Sequence, residues 1–230
     1  PFANVYPTVR FACGHYAGEW LFGKNRDFTV IPNAIELDKF RFDPAVRQEV
    51  RKELGVVEDT FLIGHVGRFM PQKNQTFLID VLADLVPGKP NAMLVFVGDG
   101  PDKKDVQQHA EELGVADHVM FLGQRADVNR LYQAFDVFCL PSLYEGLCVV
   151  GVEAQCAGLP CLFSDAITRE VDVTGASRFM PIESHKEWSS ALSKREIGRR
   201  IDFFEEAFAE FDIQQSAKKL VFLYKQLLEK

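Results

Sequence analysis

Short apolar segments alternate with helix-like segments along most of this chain, and this alternation constrains the fold more than any other feature. Several of the apolar segments carry hydrophobic residues at consecutive positions, as expected for a parallel sheet that is covered by helices on both faces. The sequence therefore predicts an α/β fold with a Rossmann-like parallel sheet. The predicted strands are 8–13, 28–31, 60–66, 92–97, 118–122, 136–140 and 159–163, and the predicted helices are 15–23, 44–54, 74–86, 101–113, 127–135 and 148–157.

The last part of the chain, residues 195–230, predicts two further helices. Apolar residues recur there at helical spacing, and packing against the core is the expected reason. We therefore divide the chain into a Rossmann-like domain, residues 1–194, and C-terminal helices that pack on it. The two predicted stripes are Ile201, Phe204, Phe208 and Phe211, and Leu220, Leu223, Leu227 and Leu228.

The passage from the predicted strand 136–140 to the helix that follows has the pattern of an anion site. Free backbone amides around Gly146 and Leu147 are predicted to open the helix, whose dipole favours negative charge in front of them. Two carboxylates, Glu145 and Glu153, flank the same place. This fits a phosphate between hydroxyl-rich groups, because amides hold the phosphate and carboxylates accept hydrogen bonds from hydroxyls.

The spacing of the two carboxylates indicates a long ligand. Glu153 lies eight positions after Glu145, which corresponds to about 12 Å along a helix axis. Helical side chains lean toward the N-terminus, so Glu153 is expected to reach back toward the phosphate. A nucleotide sugar would fit between them. Taken alone, both acids are also compatible with a solvated surface; the buried strand, the Pro-Ser turn and Gly146 favour the binding site.

Two cations, Arg68 and Lys73, follow the predicted strand 60–66 across a turn-prone connection that contains Gly67. Arginine can form paired hydrogen bonds with phosphate oxygens, and lysine supplies a compact positive charge. Together they could neutralise a departing diphosphate, although a solvated charged loop would carry the same residues. Ligands of such sheets bind outside the carboxyl ends of the strands, where all of these segments fall.

The composition excludes several classes of protein. The net charge of −7 argues against a general nucleic-acid binder, and no uninterrupted apolar run approaches the ~20 residues that a membrane span requires. The five cysteines form no CxxC pair and no Cys/His ligand spacing, which favours a reducing compartment. We therefore expect a cytoplasmic protein without a metal cluster.

Four segments occur in a fixed order: Ile31-Pro-Asn-Ala-Ile-Glu36, Gly64-His-Val-Gly-Arg68-Phe-Met-Pro-Gln-Lys73-Asn, Val97-Gly-Asp-Gly-Pro101, and the stretch from Glu145 to Glu153 followed by Gly158-Leu-Pro160. This pattern resembles the C-terminal, donor-binding half of the retaining glycosyltransferases of family 4, which have the GT-B fold. The resemblance covers most of the chain and is strongest to enzymes that assemble exopolysaccharide or capsule. The chain departs from the family pattern at Ala34, Glu36 and Cys148.

The resemblance implies a site for a nucleotide diphosphate sugar, such as a UDP-sugar, with no further cofactor and no metal ion. It also implies a saccharide or lipid-linked saccharide acceptor and a preceding N-terminal domain of the same enzyme, toward which part of the C-terminal helices, residues 195–230, would pack. The implied location is the cytoplasm or the inner face of the membrane. No nucleic acid is implied. The implied roles are Arg68 and Lys73 on the diphosphate, Gly67, Gly146 and Leu147 beside it, Glu145 on the donor sugar, Glu153 on the ribose and Arg125 near the base.

Two other functions are compatible with parts of the pattern. A nucleotide- or phosphate-binding module without catalytic activity would use the same groups, and turnover would distinguish it. A Rossmann oxidoreductase is disfavoured, because Gly98-Asp-Gly100-Pro101 lacks the third glycine of a dinucleotide fingerprint. Those two glycines are as compatible with a structural turn as with a ligand contact. His65 and Ser142 have no evident catalytic partner in the sequence, and we leave them out of the mechanism.

Overall fold

The central element of the fold is a six-stranded parallel sheet with the strand order β5-β4-β3-β6-β7-β8. The structure is a computed structural model that describes residues 9–194 and 200–229. The predicted Rossmann-like parallel sheet is confirmed, although the strands β1 and β2 pair with each other in a separate sheet. The strands are β1 Phe11–Ala12, β2 Thr29–Val30, β3 Phe61–Val66, β4 Ala92–Val97, β5 Val119–Phe121, β6 Val137–Leu140, β7 Cys161–Ser164 and β8 Arg178–Met180.

Helices connect the strands, and each of the six helices predicted ahead of the tail forms within its expected range. The strand β8 and the helices α2 and α8 were not predicted. Short 3-10 helices lie at Pro71–Lys73, Ala116–His118, Arg169–Val171 and Glu205–Phe211. The α-helices are α1 His15–Phe22, α2 Leu37–Phe40, α3 Pro44–Glu53, α4 Gln75–Leu85, α5 Lys103–Glu112, α6 Val128–Ala134, α7 Val149–Cys156, α8 His185–Ser193 and α9 Ile213–Leu228.

The sheet is buried on both faces, which explains why its central strands carry apolar residues at consecutive positions. Alternate residues of β3 face opposite sides: Ile63 belongs to a cluster with α4, α5 and α8, and Leu62 belongs to a cluster with α3, α6 and α7. Trp188 of α8 fills the first cluster and is fully buried, as Tyr132 of α6 is in the second. The sheet is therefore a rigid support for the loops at its carboxyl edge.

Two arginines of α3 fix the beginning of β6. Arg47 donates to Asp136 Oδ1 at 2.5 Å, and Arg51 donates to the carbonyl of Ala134 at 3.0 Å. Asp136 in turn accepts from the backbone amide of Leu62 at 2.7 Å. This network ties β6 to β3 at the end of the sheet opposite to the loops that carry the predicted site.

The tail differs from its prediction. Residues 200–204 are not helical and Glu205–Phe211 is a 3-10 helix, so the predicted α-helix with Phe204 and Phe208 on one face is wrong for the described residues. Phe208 is buried against a cluster that includes Ile35 and Val152, while Phe204 is 61% exposed. Packing of single aromatic rings, rather than a periodic face, determines this segment. Residues 195–199 lie outside the described residues.

The predicted helix with the leucine stripe is present as α9. None of its residues is buried, and Leu228 is 87% exposed. The stripe therefore adds nothing to the buried core among the described residues, and its packing toward a preceding domain stays a prediction. The division of the chain at residue 194 stays a prediction. No helix in residues 9–194 and 200–229 combines the length and the apolar character needed to cross a membrane.

Candidate functional site

The strands β3 and β6 are neighbours at the point where the order of the sheet reverses. From β3 the chain continues outward through β4 and β5, and from β6 it continues in the opposite direction through β7 and β8. A crevice forms outside the carboxyl ends of two such strands, and ligands of open parallel sheets bind there. The loops that follow β3 and β6 carry Lys73 and Glu145, respectively.

The loop after β3 is held by the neighbouring strand. The amide of Gly67 donates to the carbonyl of Val97 at 2.9 Å, and the amide of Phe69 donates to the carbonyl of Asp99 at 3.1 Å. Pro71–Lys73 then forms a 3-10 turn that ends at Asn74, whose φ of 53° is left-handed. This turn directs Lys73 back over Gly67, and the lysine side chain lies beside the Gly67 Cα.

Lys73 and Glu145 form an ion pair across the crevice. The Lys73 Nζ lies 2.6 Å from Glu145 Oε1, and the two side chains are only 15% and 11% exposed. Gln72 donates from Nε2 to the carbonyl of Tyr144 at 2.8 Å and to Glu145 Oε2 at 3.3 Å. The amide of Leu143 donates to the carbonyl of Gln72 at 2.8 Å. A further bond runs from Asn74 Nδ2 to the carbonyl of Pro141 at 3.3 Å, so five hydrogen bonds join the two loops, and both oxygens of the Glu145 carboxylate have a donor.

Arg68 lies at the start of the same loop with its side chain exposed to solvent. Its carbonyl accepts a hydrogen bond from Gln75 Nε2 at 2.9 Å, which fixes the backbone at this residue. The guanidinium is therefore attached to a rigid backbone position beside the crevice, but the side chain is not held against Lys73 or Glu145. Its predicted role on a diphosphate stays a prediction.

Gly146 and Leu147 lie just before α7 and not within it. The helix begins at Val149, and its N-cap residue, Cys148, makes no side-chain capping hydrogen bond. The helix thus begins one residue after the predicted start at Cys148, and the role of the Gly146 and Leu147 amides at an anion stays a prediction. These amides belong to the loop that carries Glu145, directly in front of the positive end of the helix dipole.

Glu153 lies in the second turn of α7 and is held by Tyr132. The Tyr132 hydroxyl donates to Glu153 Oε2 at 3.0 Å, and burial raises the pKa of the Glu153 carboxyl above its ordinary value. Burial also raises the pKa of Tyr132 well above its ordinary value, with the nearby Glu153 charge adding to the effect, so the hydroxyl stays a donor. Three of the four lone-pair positions of the carboxylate remain for other donors.

Gly98 has a structural role in this region. Its φ is +140°, and a Cβ at this position would lie 2.0 Å from the carbonyl oxygen of Gly67. The amide of Gly98 also donates to the carbonyl of Gly123 at 2.8 Å. The turn after β4 therefore supports the Gly67 loop from below, which favours the structural interpretation of the glycines over direct ligand contact.

Arg125 lies apart from the ion pair. It follows β5, the edge strand that β4 separates from β3. Its guanidinium makes two hydrogen bonds of 2.7 Å to Asp127, which lower the pKa of that carboxyl and raise the pKa of Arg125. The structure brings Gly67, Lys73 and Glu145 together, but it does not bring Arg125 to them.

Sequence reasoning did not single out Gln72 or Tyr132, although the structure places both against the predicted carboxylates. Gln72 is adjacent to Lys73 in sequence, and this is the only signal that pointed to it. Tyr132 lies in the apolar pattern of α6, where nothing distinguishes it from a core residue. Within residues 9–194 and 200–229, no group of three or more His, Cys, Asp or Glu side chains could hold a metal ion.

His65, which we left out of the mechanism, is fully buried at the end of β3. Its Nδ1 donates to the carbonyl of Cys139 at 2.9 Å, since a carbonyl can only accept. Burial lowers the pKa of the ring from 6.5 to about 4. The Nε2 atom has no hydrogen-bond partner among the described residues and lies 3.3 Å from the place a Gly67 Cβ would occupy. The neutral ring therefore packs against Gly67, in the loop that carries Lys73.

Comparisons with known proteins show the family to which the chain belongs. The family model described as "Glycosyl transferases group 1" matches residues 46–177. EpsF of Bacillus subtilis (strain 168) is 36% identical over 97% of this chain and 61% of its own length. The UDP-Gal:alpha-D-GlcNAc-diphosphoundecaprenol alpha-1,3-galactosyltransferase of Escherichia coli is 35% identical over 60% of this chain and 36% of its own length.

A solved structure with a bound nucleotide sugar has the same fold. The complex of Anabaena Alr3699/HepE with UDP-glucose is 26% identical and has a TM-score of 0.80, covering 95% of this chain and 65% of that chain. This likeness confirms the predicted fold. The chain spans less than two thirds of the length of EpsF, at 61%, and of HepE, at 65%.

Proposed function

We propose that this chain, which belongs to the Glycosyl transferases group 1 family, is the donor-binding part of a retaining glycosyltransferase that takes its sugar from a UDP-sugar. The acceptor would be a saccharide or a lipid-linked saccharide in the assembly of a polysaccharide. The E. coli relative, whose name states a diphosphoundecaprenol-linked acceptor, supports this class. The UDP-glucose complex of HepE supports the donor class.

One observation carries the proposal: Lys73 and Glu145, 72 residues apart in the sequence, meet at 2.6 Å at the reversal point of the sheet. A cation beside a carboxylate suits a ligand that is charged at one end and rich in hydroxyls at the other. The ammonium can bind a diphosphate oxygen, and the carboxylate can accept from sugar hydroxyls. A simple phosphate-binding module would need the cation but not the carboxylate.

The proposed roles follow from the positions of the side chains. Lys73 and Arg68 neutralise the diphosphate as it leaves the sugar, since both lie on the loop after β3 and developing negative charge is stabilised by preorganised donors. The amides of Gly146 and Leu147 add dipoles in front of α7. Glu145 orients the donor sugar. Glu153, which Tyr132 holds in place, accepts from the ribose hydroxyls.

A direct ligand contact by the Arg125 side chain has less support. Its side chain is engaged with Asp127, and it lies beyond β4 from the ion pair. We propose that the backbone around it, rather than the guanidinium, lies near the base of the nucleotide. Replacement of Arg125 by alanine is expected to change UDP affinity far less than replacement of Lys73.

Binding measurements test this proposal directly. In isothermal titration calorimetry, the chain should bind UDP, and Arg68→Ala and Lys73→Ala should each weaken that binding by about 1.5 to 3 kcal/mol, the range for hydrogen bonds to charged groups. Uridine lacks the diphosphate, so its affinity should barely change. If both variants bound UDP like the wild type, the diphosphate assignment would be wrong.

A transfer assay tests the second part of the proposal. These 230 residues are expected to bind UDP-sugar without transferring the sugar to a saccharide, because the acceptor must be held against the donor for transfer to occur. The assay would follow a radiolabelled UDP-sugar with saccharide and lipid-linked acceptors. Efficient transfer by this chain alone would contradict the division of donor and acceptor sites.

A further inference from the structure

We propose that Gln72 is a positioning residue that sets the orientation of the Glu145 carboxylate and thereby the selectivity of the site for the donor sugar. The inference rests on the proposed function, in which Glu145 accepts hydrogen bonds from sugar hydroxyls. Gln72 is not one of the residues whose type and spacing suggested the site. Its role follows from its contacts in the crevice.

The side-chain amide of Gln72 donates to two acceptors on the opposite loop. Its Nε2 atom lies 2.8 Å from the carbonyl oxygen of Tyr144 and 3.3 Å from Glu145 Oε2. Lys73 holds the other oxygen, Oε1, at 2.6 Å. The two neighbouring residues of one turn thus hold the two oxygens of one carboxylate.

A carboxylate that is held at one oxygen can still rotate about the bond to its methylene group, because that terminal torsion is broad. A donor on the second oxygen removes this freedom. Each oxygen has two lone-pair positions, so one position on each remains after Lys73 and Gln72 are bonded. Gln72 therefore determines where the two free positions point, and a sugar hydroxyl must match those directions.

The contribution of the side chain can be separated from that of the backbone. The carbonyl of Gln72 accepts from the amide of Leu143 at 2.8 Å, and this bond is retained when the side chain is replaced. Gln72→Met keeps the length of the side chain and removes its donors. Gln108→Met is a matched control, because Gln108 makes the same kind of bond, to Glu112 at 2.7 Å, on the exposed surface of α5.

The first experiment compares UDP with UDP-glucose by calorimetry on the whole 230-residue chain. We expect Gln72→Met to weaken UDP-glucose binding at least fivefold while UDP affinity stays within twofold of the wild type. Gln108→Met should leave both affinities unchanged. Thermal unfolding and circular dichroism would verify that each variant is folded.

A second variant supplies a readout that a purely structural role would not give. Gln72→Glu places a second carboxylate against Glu145, so at pH 7.5 the loss of UDP-glucose affinity relative to the wild type should exceed tenfold. Lowering the pH to 5.5 favours a protonated carboxyl, which can donate again, because like charges at close range disfavour double ionisation. The loss should then shrink to about threefold or less, with the wild type measured at each pH as the reference.

Three outcomes are decisive. Equal losses of affinity for UDP and for UDP-glucose in Gln72→Met would overturn the inference. If Gln72 merely held the loop, its replacement would also displace Gly146 and Leu147 beside the diphosphate. Unchanged binding of both ligands would overturn it as well, while leaving the proposed function intact. A wild-type chain that binds neither UDP nor UDP-glucose would contradict the proposed function itself and this inference with it.

Discussion

Lys73 Nζ lies 2.6 Å from Glu145 Oε1 in a crevice where both side chains are largely shielded from water. The pair joins the loops that follow two adjacent strands, so each loop carries the counter-charge of the other. In the proposed function, a diphosphate would share the ammonium with Glu145, and a sugar would share the carboxylate with Lys73. We therefore expect diphosphate binding and sugar binding to be coupled through this contact.

A double-mutant cycle on this pair tests the coupling. Lys73→Met should weaken UDP binding by about 2 kcal/mol or more, because a hydrogen bond to a charged group is lost and the Glu145 charge is left to repel the ligand. Glu145→Gln should leave UDP affinity nearly unchanged. The double variant should bind UDP better than Lys73→Met alone, with a coupling of at least about 1 kcal/mol.

The control for this cycle is Lys104→Met, which removes an exposed lysine of α5 and should not change UDP affinity. Calorimetry with UDP and uridine on all variants completes the set. Strictly additive effects of the two substitutions would show that the ion pair has no part in ligand binding.

Glu153 is predicted to hold the ribose. Glu153→Gln replaces one acceptor by a donor, so UDP affinity should fall by about 1 to 3 kcal/mol. 2′,3′-Dideoxy-UDP lacks both hydroxyls and should bind the wild type weakly, with little further loss in the variant. Calorimetric measurement of the four affinities gives the coupling directly. Glu111→Gln, on the exposed face of α5, is the matched control.

Additive losses in this second cycle would show that Glu153 does not contact the ribose. In that case the Tyr132–Glu153 hydrogen bond of 3.0 Å would be a feature of the core alone. The cycle separates these readings because only a direct contact makes the protein change and the ligand change redundant.

The sheet could be predicted from the sequence because burial on both faces makes β4 and β6 wholly apolar and β3 apolar except for His65. β8 was not predicted, because its three residues, Arg178–Met180, lie at the edge of the sheet and are only partly buried, so they form no apolar run. The tail was predicted wrongly for a different reason. Its phenylalanines have helical spacing, but Phe208 packs as a single ring into a tertiary cluster, and spacing carries no information about such a contact.

The candidate site was predictable only in part. Lys73 and Glu145 were identifiable because they lie in the loops that follow two buried strands, and such loops lie at the carboxyl edge of the sheet. The bond between them was not, since it depends on strand order, and only the structure establishes that β3 and β6 are adjacent. Gln72 was found only through its contact with Glu145, and Tyr132 only through its contact with Glu153, so neither carries an independent signal in the sequence.

Gly98 provides a test of the support beneath the site. Gly98→Ala would bring a Cβ within 2.0 Å of the Gly67 carbonyl at a φ of +140°. The free energy of unfolding should fall by about 2 kcal/mol or more, and UDP binding by the folded fraction should weaken because the Gly67 loop must move. In Gly88→Ala the nearest atom would be 3.8 Å away, so this control should change stability by less than about 0.5 kcal/mol. Similar unfolding curves for the two variants would contradict the proposed support.

His65 is expected to make the stability of the chain depend on pH. The pKa of the ring is lowered from 6.5 to about 4 in the folded protein, chiefly by burial. A lowered pKa means that the stabilisation by the neutral ring is present above pH 6.5, the unfolded value, and is lost as the pH falls toward 4. At about 1.4 kcal/mol per pH unit, the loss is about 3 kcal/mol.

His65→Phe removes the titrating group, while the other titrating groups contribute alike in both proteins. Urea denaturation followed by circular dichroism gives the unfolding free energy of each protein. That of the wild type should therefore fall by about 3 kcal/mol relative to that of the variant between pH 7 and pH 4. If the unfolding free energies of the two proteins changed in parallel over this range, the ring would be accessible to protons in the folded state. The loop that carries Lys73 would then not pack on a neutral, buried ring.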